Sequence, residues 1–108
     1  MVNTLKTSKD FLEVISKGQK YTQSGIIFYS LKNNSEEIKL GISIKKKSGN
    51  AVYRNRLKRQ IKNIININLE HLIGFNLVVV SYEKRRTPIK YKELMSVFEK
   101  FFKKVKSF

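Results

Sequence analysis

A cluster of basic residues near the middle of the chain has the chemistry needed to bind a polyanion. Between Lys45 and Lys62, a segment we call the basic block, there are eight cations and no acidic residue: Lys45, Lys46, Lys47, Arg54, Arg56, Lys58, Arg59 and Lys62. Three of the chain's five arginines fall within Arg54–Arg59. An arginine guanidinium is planar, so it pairs with two phosphate oxygens at once and also stacks on bases. Asn55, between two of these arginines, can add hydrogen bonds to a base or a sugar.

Apolar spacing predicts that most of this block lies on a helix. Asn50 is a suitable N-cap, and the pattern predicts a helix over Ala51–Ile67. At about 100° per residue, a single arc of about 100° contains the residues that must face the core, namely Leu57, Ile61, Ile64 and Ile65. The cations then occupy two surfaces: Arg54, Lys58 and Lys62 follow one flank of the arc, and Arg56 and Arg59 lie on the far side.

The charge of this helix has two interpretations, a solvated charge run or a surface that binds a polyanion. Arg54 and Lys58 repel each other by a few tenths of a kcal/mol at i, i+4, as do Lys58 and Lys62, and no acid lies between them. An anionic partner would relieve that repulsion. Lys46 and Lys47 also lead into the helix N-terminus, whose free N–H groups attract phosphate. We therefore favour polyanion binding.

The sequence offers little for catalysis by the protein alone. His71 is the only histidine, and no Asp or Ser grouping lies near it in the sequence. Asp10 and Glu13 can share a helix face, but two carboxylates without a third ligand make a poor magnesium cage. The chain contains no HExxH motif, phosphate-binding glycine loop or Ser/His/Asp arrangement. We expect no catalytic residue and no protein-bound metal, which disfavours a protein-only nuclease.

Length and composition narrow the class of protein further. The 108 residues are enough for one domain, 1–108, and the net charge of +15 indicates a nucleic acid or an acidic lipid surface as partner. There is no cysteine, so disulfides are excluded and a reducing compartment is expected. No apolar run approaches the roughly 20 residues of a membrane span, and the N-terminus does not resemble a secretory signal. We expect a cytoplasmic protein without a membrane association.

The remaining patterns predict an α/β (α+β) sandwich, with helices packed on a mixed central sheet in the order α-β-β-β-α-β-α. Thr7 or Ser8 can cap the first helix, with Asp10 three residues after Thr7 as in a capping box. A turn at 32–36 predicts a hairpin between the strands on either side of it. The predicted helices are Thr7–Gly18, Ala51–Ile67 and Tyr91–Lys106, the predicted strand regions are Gln19–Leu31, Glu37–Lys45 and Phe75–Tyr82, and a basic loop covers Glu83–Lys90.

The segment Leu40–Arg59 closely resembles the signature of the bacterial ribonuclease P protein subunit. That family shows a strand ending in Lys-Lys, then Gly-Asn-Ala-Val, then Arg-Asn-Arg with Lys-Arg two residues later. Here the corresponding residues are Lys46-Lys47, Gly49-Asn50-Ala51-Val52, Arg54-Asn55-Arg56 and Lys58-Arg59. Lys45 and Ser48 depart from the usual Ser-Lys-Lys-aliphatic run. The resemblance extends more loosely over the rest of the chain.

The resemblance implies a partnership with a catalytic RNA. Members of the family assist that RNA in the endonucleolytic removal of the 5′ leader from precursor tRNA, with magnesium ions held mainly by the RNA. The protein of the family is not itself the catalyst, and we expect a monomer within the holoenzyme. The family's fold resembles a ribosomal-protein-like domain with a left-handed βαβ crossover. The alternative is a ribosomal or general RNA-binding module without a processing role.

The resemblance also implies roles for individual residues. Six residues fill the family's basic-helix motif, which is expected to touch the catalytic RNA and flank the leader cleft: Arg54, Asn55, Arg56, Lys58, Arg59 and Lys62. RNA binding is also expected of the residues that lead into this helix, Lys45, Lys46, Lys47 and Asn50. Phe11 and Tyr29 match aromatics that line the cleft for the leader. Bases can stack on such rings. Ile15 stands where many members have a second aromatic. Without the resemblance, core packing explains Phe11 and Tyr29 equally well, because both lie in apolar patterns.

Overall fold

The computed structural model describes residues 2–84 and 87–106. Arg85 and Arg86, in the predicted basic loop, lie outside the described residues. The described part forms three helices and five strands. The helices are α1 (Ser8–Lys17), α2 (Ala51–Asn66) and α3 (Tyr91–Val105), and the strands are β1 (Val2–Thr4), β2 (Gln19–Gln23), β3 (Ile26–Lys32), β4 (Ile38–Ile44) and β5 (Phe75–Ser81). Each predicted helix is confirmed to within a residue at either end. The Thr7 hydroxyl oxygen accepts a hydrogen bond from the Asp10 amide at 3.1 Å, which confirms the predicted cap.

The strands form one mixed sheet in the order β1-β4-β5-β3-β2. Strand β5 is central, parallel to β4 and antiparallel to β3. Leu77, Val78 and Val79 are fully buried, so the centre of β5 is covered on both faces of the sheet. Strands β4 and β5 are parallel neighbours that α2 connects. The left-handed sense of this crossover stays a prediction from the resemblance.

The predicted hairpin around the 32–36 turn is wrong. Strand β5 lies between β3 and β4, so the two strands on either side of that turn are not neighbours. The continuous apolar run of β5 favours the central position, because only there are both of its faces covered. The hairpin in the structure joins β2 to β3 through Ser24 and Gly25. Both residues have positive φ, 53° and 79°, as a two-residue type I′ turn requires.

Strand β1 is missing from the predicted order, which is corrected to β-α-β-β-β-α-β-α. It pairs in parallel with the first half of β4, Val2 opposite Ile38 and Thr4 opposite Leu40. Three residues are too few to show an alternating pattern in the sequence, and the pairing partner is more than 30 residues away. Residues 2–4 are a strand because they pair with the otherwise unpaired edge of β4.

Helices cover the sheet on both faces. Helices α2 and α3 pack on one face over the main core, which includes Phe28, Leu57 and Phe98. Helix α1 packs on the other face, where Val14 joins Leu5, Val78 and Val80 in a second, smaller core. Within the described residues, no helix is long and apolar enough to span a bilayer.

Candidate nucleic-acid interface

The first turn of α2 is fixed by its predicted cap. The Asn50 side-chain oxygen accepts a hydrogen bond from the Tyr53 amide at 2.9 Å. Gly49, just before the cap, lies flat against the Tyr53 ring, so a Cβ at this position would collide with the ring. The guanidinium carbon of Arg56 lies 5.8 Å from the centre of the same ring, within reach of a cation–π interaction. Tyr53 therefore positions both the entry to α2 and one of its arginines.

The lysines before α2 lie on a short 3₁₀ turn that is bound to the end of β5. The Ser81 carbonyl oxygen accepts hydrogen bonds from the Lys45 amide at 2.9 Å and the Ser48 hydroxyl at 3.2 Å. Ser48 is buried, whereas Lys45, Lys46 and Lys47 are exposed. Ser48 stands where the family usually has an aliphatic residue. Its buried hydrogen bond to β5 thus anchors the turn that carries the three exposed lysines.

The orientation predicted for α2 is confirmed. All four residues of the apolar arc are fully buried, and Tyr53 extends the arc at its N-terminal end. Five predicted site residues of α2 are exposed, namely Asn55, Arg56, Lys58, Arg59 and Lys62. Arg54 is half-buried, and its Nε has no hydrogen-bond partner within the described part of the chain. Within residues 2–84 and 87–106, no cation of the basic block forms an ion pair with a carboxylate, so its repulsion is not relieved internally.

One flank of α2 faces a cleft at the open edge of β4. Strand β1 ends early, and the Leu5 amide makes the last hydrogen bond to this edge, at 3.0 Å to the Leu40 carbonyl. Beyond it lies the edge cleft, of about 430 Å³. Its lining includes Leu5, Phe11 of α1 and two lysines of α2, Lys58 and Lys62. The cleft thus combines an aromatic ring with two cations that form no ion pair within residues 2–84 and 87–106.

A second cleft, the face cleft, lies between α1 and the sheet and has a volume of about 560 Å³. Phe11 and Ile42 line both clefts, so the two meet at the edge of β4. Apolar side chains of α1 form one wall, with Leu12 64% and Ile15 37% exposed. Lys45 and Ser43 contribute to the opposite side. The apolar residues of α1 therefore have two roles: Val14 is buried in the core, whereas Phe11 and Ile15 line the cleft.

Seven of the twelve predicted site residues fall into three groups by their position relative to the clefts. Phe11, Lys58, Lys62 and Lys45 lie around the two connected clefts. Arg56 and Arg59 lie on a different side of α2, as their spacing predicts. Tyr29 is on the same face of the sheet as Phe11, but it packs half-buried beside the smaller core and is not among the residues that line either cleft.

Sequence reasoning missed several cleft residues, among them Leu5, Lys6 and Asn66. No motif marks them, because the position of β1 brings the first two to the cleft. His71, the only histidine, stacks on Phe102 at 5.0 Å between ring centres, with Glu70 beside it at 3.6 Å. Among the described residues, no group of three or more His, Asp or Glu side chains is placed to hold a metal ion.

The fold and the clefts define a class, a small basic α+β domain with a cationic helix beside an aromatic-lined groove. Comparison with known proteins is specific. The family model described as Ribonuclease P matches residues 2–106. A ribonuclease P protein component from Clostridium botulinum (strain Langeland) is 32% identical over 104 residues, covering 94% of this chain and 93% of the relative. That of Clostridioides difficile is 35% identical over 79 residues, covering 71% and 69%.

Solved structures agree with this result. The RNase P protein of Staphylococcus aureus has a TM-score of 0.81 at 26% identity, covering 93% of this chain and 92% of that one. The RNase P protein of Thermotoga maritima has a TM-score of 0.80 at 26% identity, covering 94% and 96%. The chain belongs to the ribonuclease P protein family. It is thus a protein component of a tRNA-processing endoribonuclease.

Proposed function

We propose that this chain binds both the catalytic RNA of ribonuclease P and the 5′ leader of precursor tRNA, and assists removal of the leader. The observation that supports this most directly is the edge cleft. Phe11 of α1 and two lysines of α2, Lys58 and Lys62, line it together. A single-stranded leader has bases that stack and phosphates that need cations, and this cleft offers both chemistries within one groove.

The two surfaces of α2 suit two RNA ligands. Arg54, Lys58 and Lys62 follow the flank on the cleft side, where the leader would pass. Arg56 and Arg59 lie on another side of the helix, where they are free to pair with phosphates of the catalytic RNA. One rigid helix would then hold the leader and the catalytic RNA in a fixed relation to each other. That relation is what positions the cleavage site.

Chemistry belongs to the RNA in this proposal. As the family resemblance implies, the catalytic RNA would hold most of the magnesium ions that perform the cleavage. The protein contributes binding, orientation and neutralisation of phosphate repulsion. We propose that it acts in the cytoplasm as a monomer within the holoenzyme.

Reconstitution tests this function. The purified chain is mixed with a bacterial ribonuclease P RNA and 5′-labelled precursor tRNA at low magnesium, with protein-alone and RNA-alone controls. Release of the leader well above the RNA-alone rate, with none from protein alone, supports the proposal. A chain that binds neither RNA and does not stimulate cleavage contradicts it. A chain that binds RNA without any stimulation favours the general RNA-binding module instead.

A further inference from the structure

Tyr91, the first residue of α3, lies at a junction of two helices that the proposed function has not used. Its ring is 38% exposed, an unusual fraction for a tyrosine in a helix whose other aromatics are buried. Its hydroxyl accepts a hydrogen bond from the side-chain amide of Asn63 on α2, at 3.1 Å. This bond crosses from one helix to the other and fixes the direction of the exposed ring.

The surroundings of Tyr91 are cationic. At about 100° per residue, Asn63 lies roughly 20° around α2 from Arg56 and about 40° from Arg59. It lies about 140° from Lys58 and about 100° from Lys62, so the junction is on a different side of α2 from the two cations of the edge cleft. Lys90 and Lys92 flank Tyr91 in the chain and are exposed. We call the surface formed by Arg56, Arg59, Asn63, Lys90, Tyr91 and Lys92 the helix seam.

The residues at the start of α3 are unfavourable for the stability of this helix. Lys90 occupies the N-cap position without a side-chain cap. Lys90 and Lys92 place positive charge at the positive end of the helix dipole, an unfavourable arrangement that Glu93 in the same turn offsets only in part. A polyanion bound to the seam would be attracted both by these lysines and by the positive end of the helix dipole. Lys90 and Lys92 therefore do not stabilise α3, and binding an anion beside them would offset their unfavourable interaction with the helix dipole.

We propose that the helix seam extends the catalytic-RNA surface of α2 onto the start of α3, where Tyr91 stacks against an unpaired base of that RNA. This inference rests on the proposed function, since it requires that the chain binds that RNA. The exposed ring supplies a stacking platform, Asn63 holds it in place, and the four surrounding cations pair with the flanking phosphates. A purely structural role, in which the Asn63–Tyr91 bond only joins α2 to α3, predicts different behaviour.

The chain contains no tryptophan, so Tyr91→Trp introduces a single fluorescent reporter at the seam. Titration with a bacterial ribonuclease P RNA is expected to quench the indole emission and protect it from acrylamide. Thr22→Trp is the matched control, because Thr22 is exposed on β2 and lies on the opposite face of the sheet from its neighbour Tyr21, which packs on Phe101 of α3. Unchanged emission and unchanged acrylamide access in Tyr91→Trp, at RNA concentrations that saturate binding, would overturn the seam proposal.

Affinity measurements separate stacking from a structural bond. Tyr91→Ala is expected to weaken binding of the catalytic RNA about five-fold or more, the low end for loss of one stacked base. Tyr91→Phe keeps the ring and is expected to stay within about two-fold of the original chain. If both variants bind alike while both melt at lower temperature, the bond is structural only and the seam proposal fails. If the unaltered chain itself does not bind the catalytic RNA, the proposed function fails first.

Discussion

Phe11 lies directly over Gly41, so closely that a Cβ at Gly41 would be 2.5 Å from the Cζ atom of the ring. The glycine in β4 therefore lets an aromatic ring of α1 rest on the sheet at the junction of the two clefts. Gly41 belongs to the segment Leu40–Arg59 that resembles the family signature, and this contact links it to Phe11, which lines both clefts. It also means that the position of the Phe11 ring can be changed without touching Phe11.

Gly41→Ala tests whether that ring position matters for the leader. Alanine fits the extended backbone of β4, but its methyl group must displace the flexible tip of the Phe11 side chain. We expect the affinity for precursor tRNA to fall by about 1–3 kcal/mol, one stacking interaction, while mature tRNA is bound as before. Equilibrium binding of the two tRNAs to the reconstituted holoenzyme measures the difference.

Ser43→Ala is a suitable control for this experiment. Ser43 is on the same strand, but it lines only the face cleft and is not among the residues of the edge cleft, on which the proposed leader binding rests. Its loss is expected to leave the ratio of precursor to mature affinity unchanged. Equal losses for precursor and mature tRNA in Gly41→Ala would show that the ring supports the fold rather than the leader.

Arg56→Ala tests the outward surface of α2. Its guanidinium lies over the Tyr53 ring, is exposed and has no carboxylate partner in the described part of the chain. We expect the variant to bind the catalytic RNA about 1–3 kcal/mol more weakly with an unchanged circular dichroism spectrum. Lys100→Ala removes the same charge from an exposed site on α3 and should have a much smaller effect. Equal losses of affinity in the two variants would show that Arg56 contributes only through the net charge of the protein and makes no specific contact with the RNA.

The elements that could be predicted are those whose signals are local. The apolar arc of α2 and its Asn50 cap lie within one stretch of sequence, and both are as predicted. The position of β5 between β3 and β4 depends on pairing between distant segments. No local pattern distinguishes a turn that closes a hairpin from one that leads past an inserted strand. The predicted hairpin at 32–36 failed for that reason.

The site follows the same division. The two surfaces occupied by the five cations of α2 follow from helical spacing alone. Which flank faces a cleft depends on where β1 ends and on how α1 crosses the sheet, and both are tertiary facts. Val14 and Ile15 show this clearly, because neighbouring apolar residues of one pattern are 1% and 37% exposed. Periodicity gives the direction of a side chain but not what covers it.

Ser48→Ala tests the attachment of the lysine turn to β5. The variant removes one of the two hydrogen bonds to the Ser81 carbonyl and leaves the amide bond from Lys45 in place. We expect a loss of about 0.5–1.5 kcal/mol in the free energy of unfolding, measured by urea denaturation. We also expect weaker binding of the catalytic RNA, because the turn that carries Lys46 and Lys47 is less firmly held.

Ser48→Thr keeps the hydroxyl and is the rescue variant for that experiment. Recovery of RNA affinity in this variant would attribute the effect to the hydrogen bond. If Ser48→Ala loses stability but binds RNA as tightly as before, the lysine turn does not depend on this attachment for its function.

The salt dependence of binding tests the number of phosphate contacts that the basic block makes. Each contact releases counterions, so the logarithm of the binding constant should fall by about 0.7–0.9 per contact for each tenfold rise in salt. Because none of the eight cations is neutralised by a carboxylate in the described part of the chain, we expect a steep slope for the catalytic RNA. Arg56→Ala should make that slope shallower by about one contact, whereas Gly41→Ala should leave it unchanged, since stacking releases no counterions. A nearly flat response in the unaltered chain would contradict an electrostatic interface.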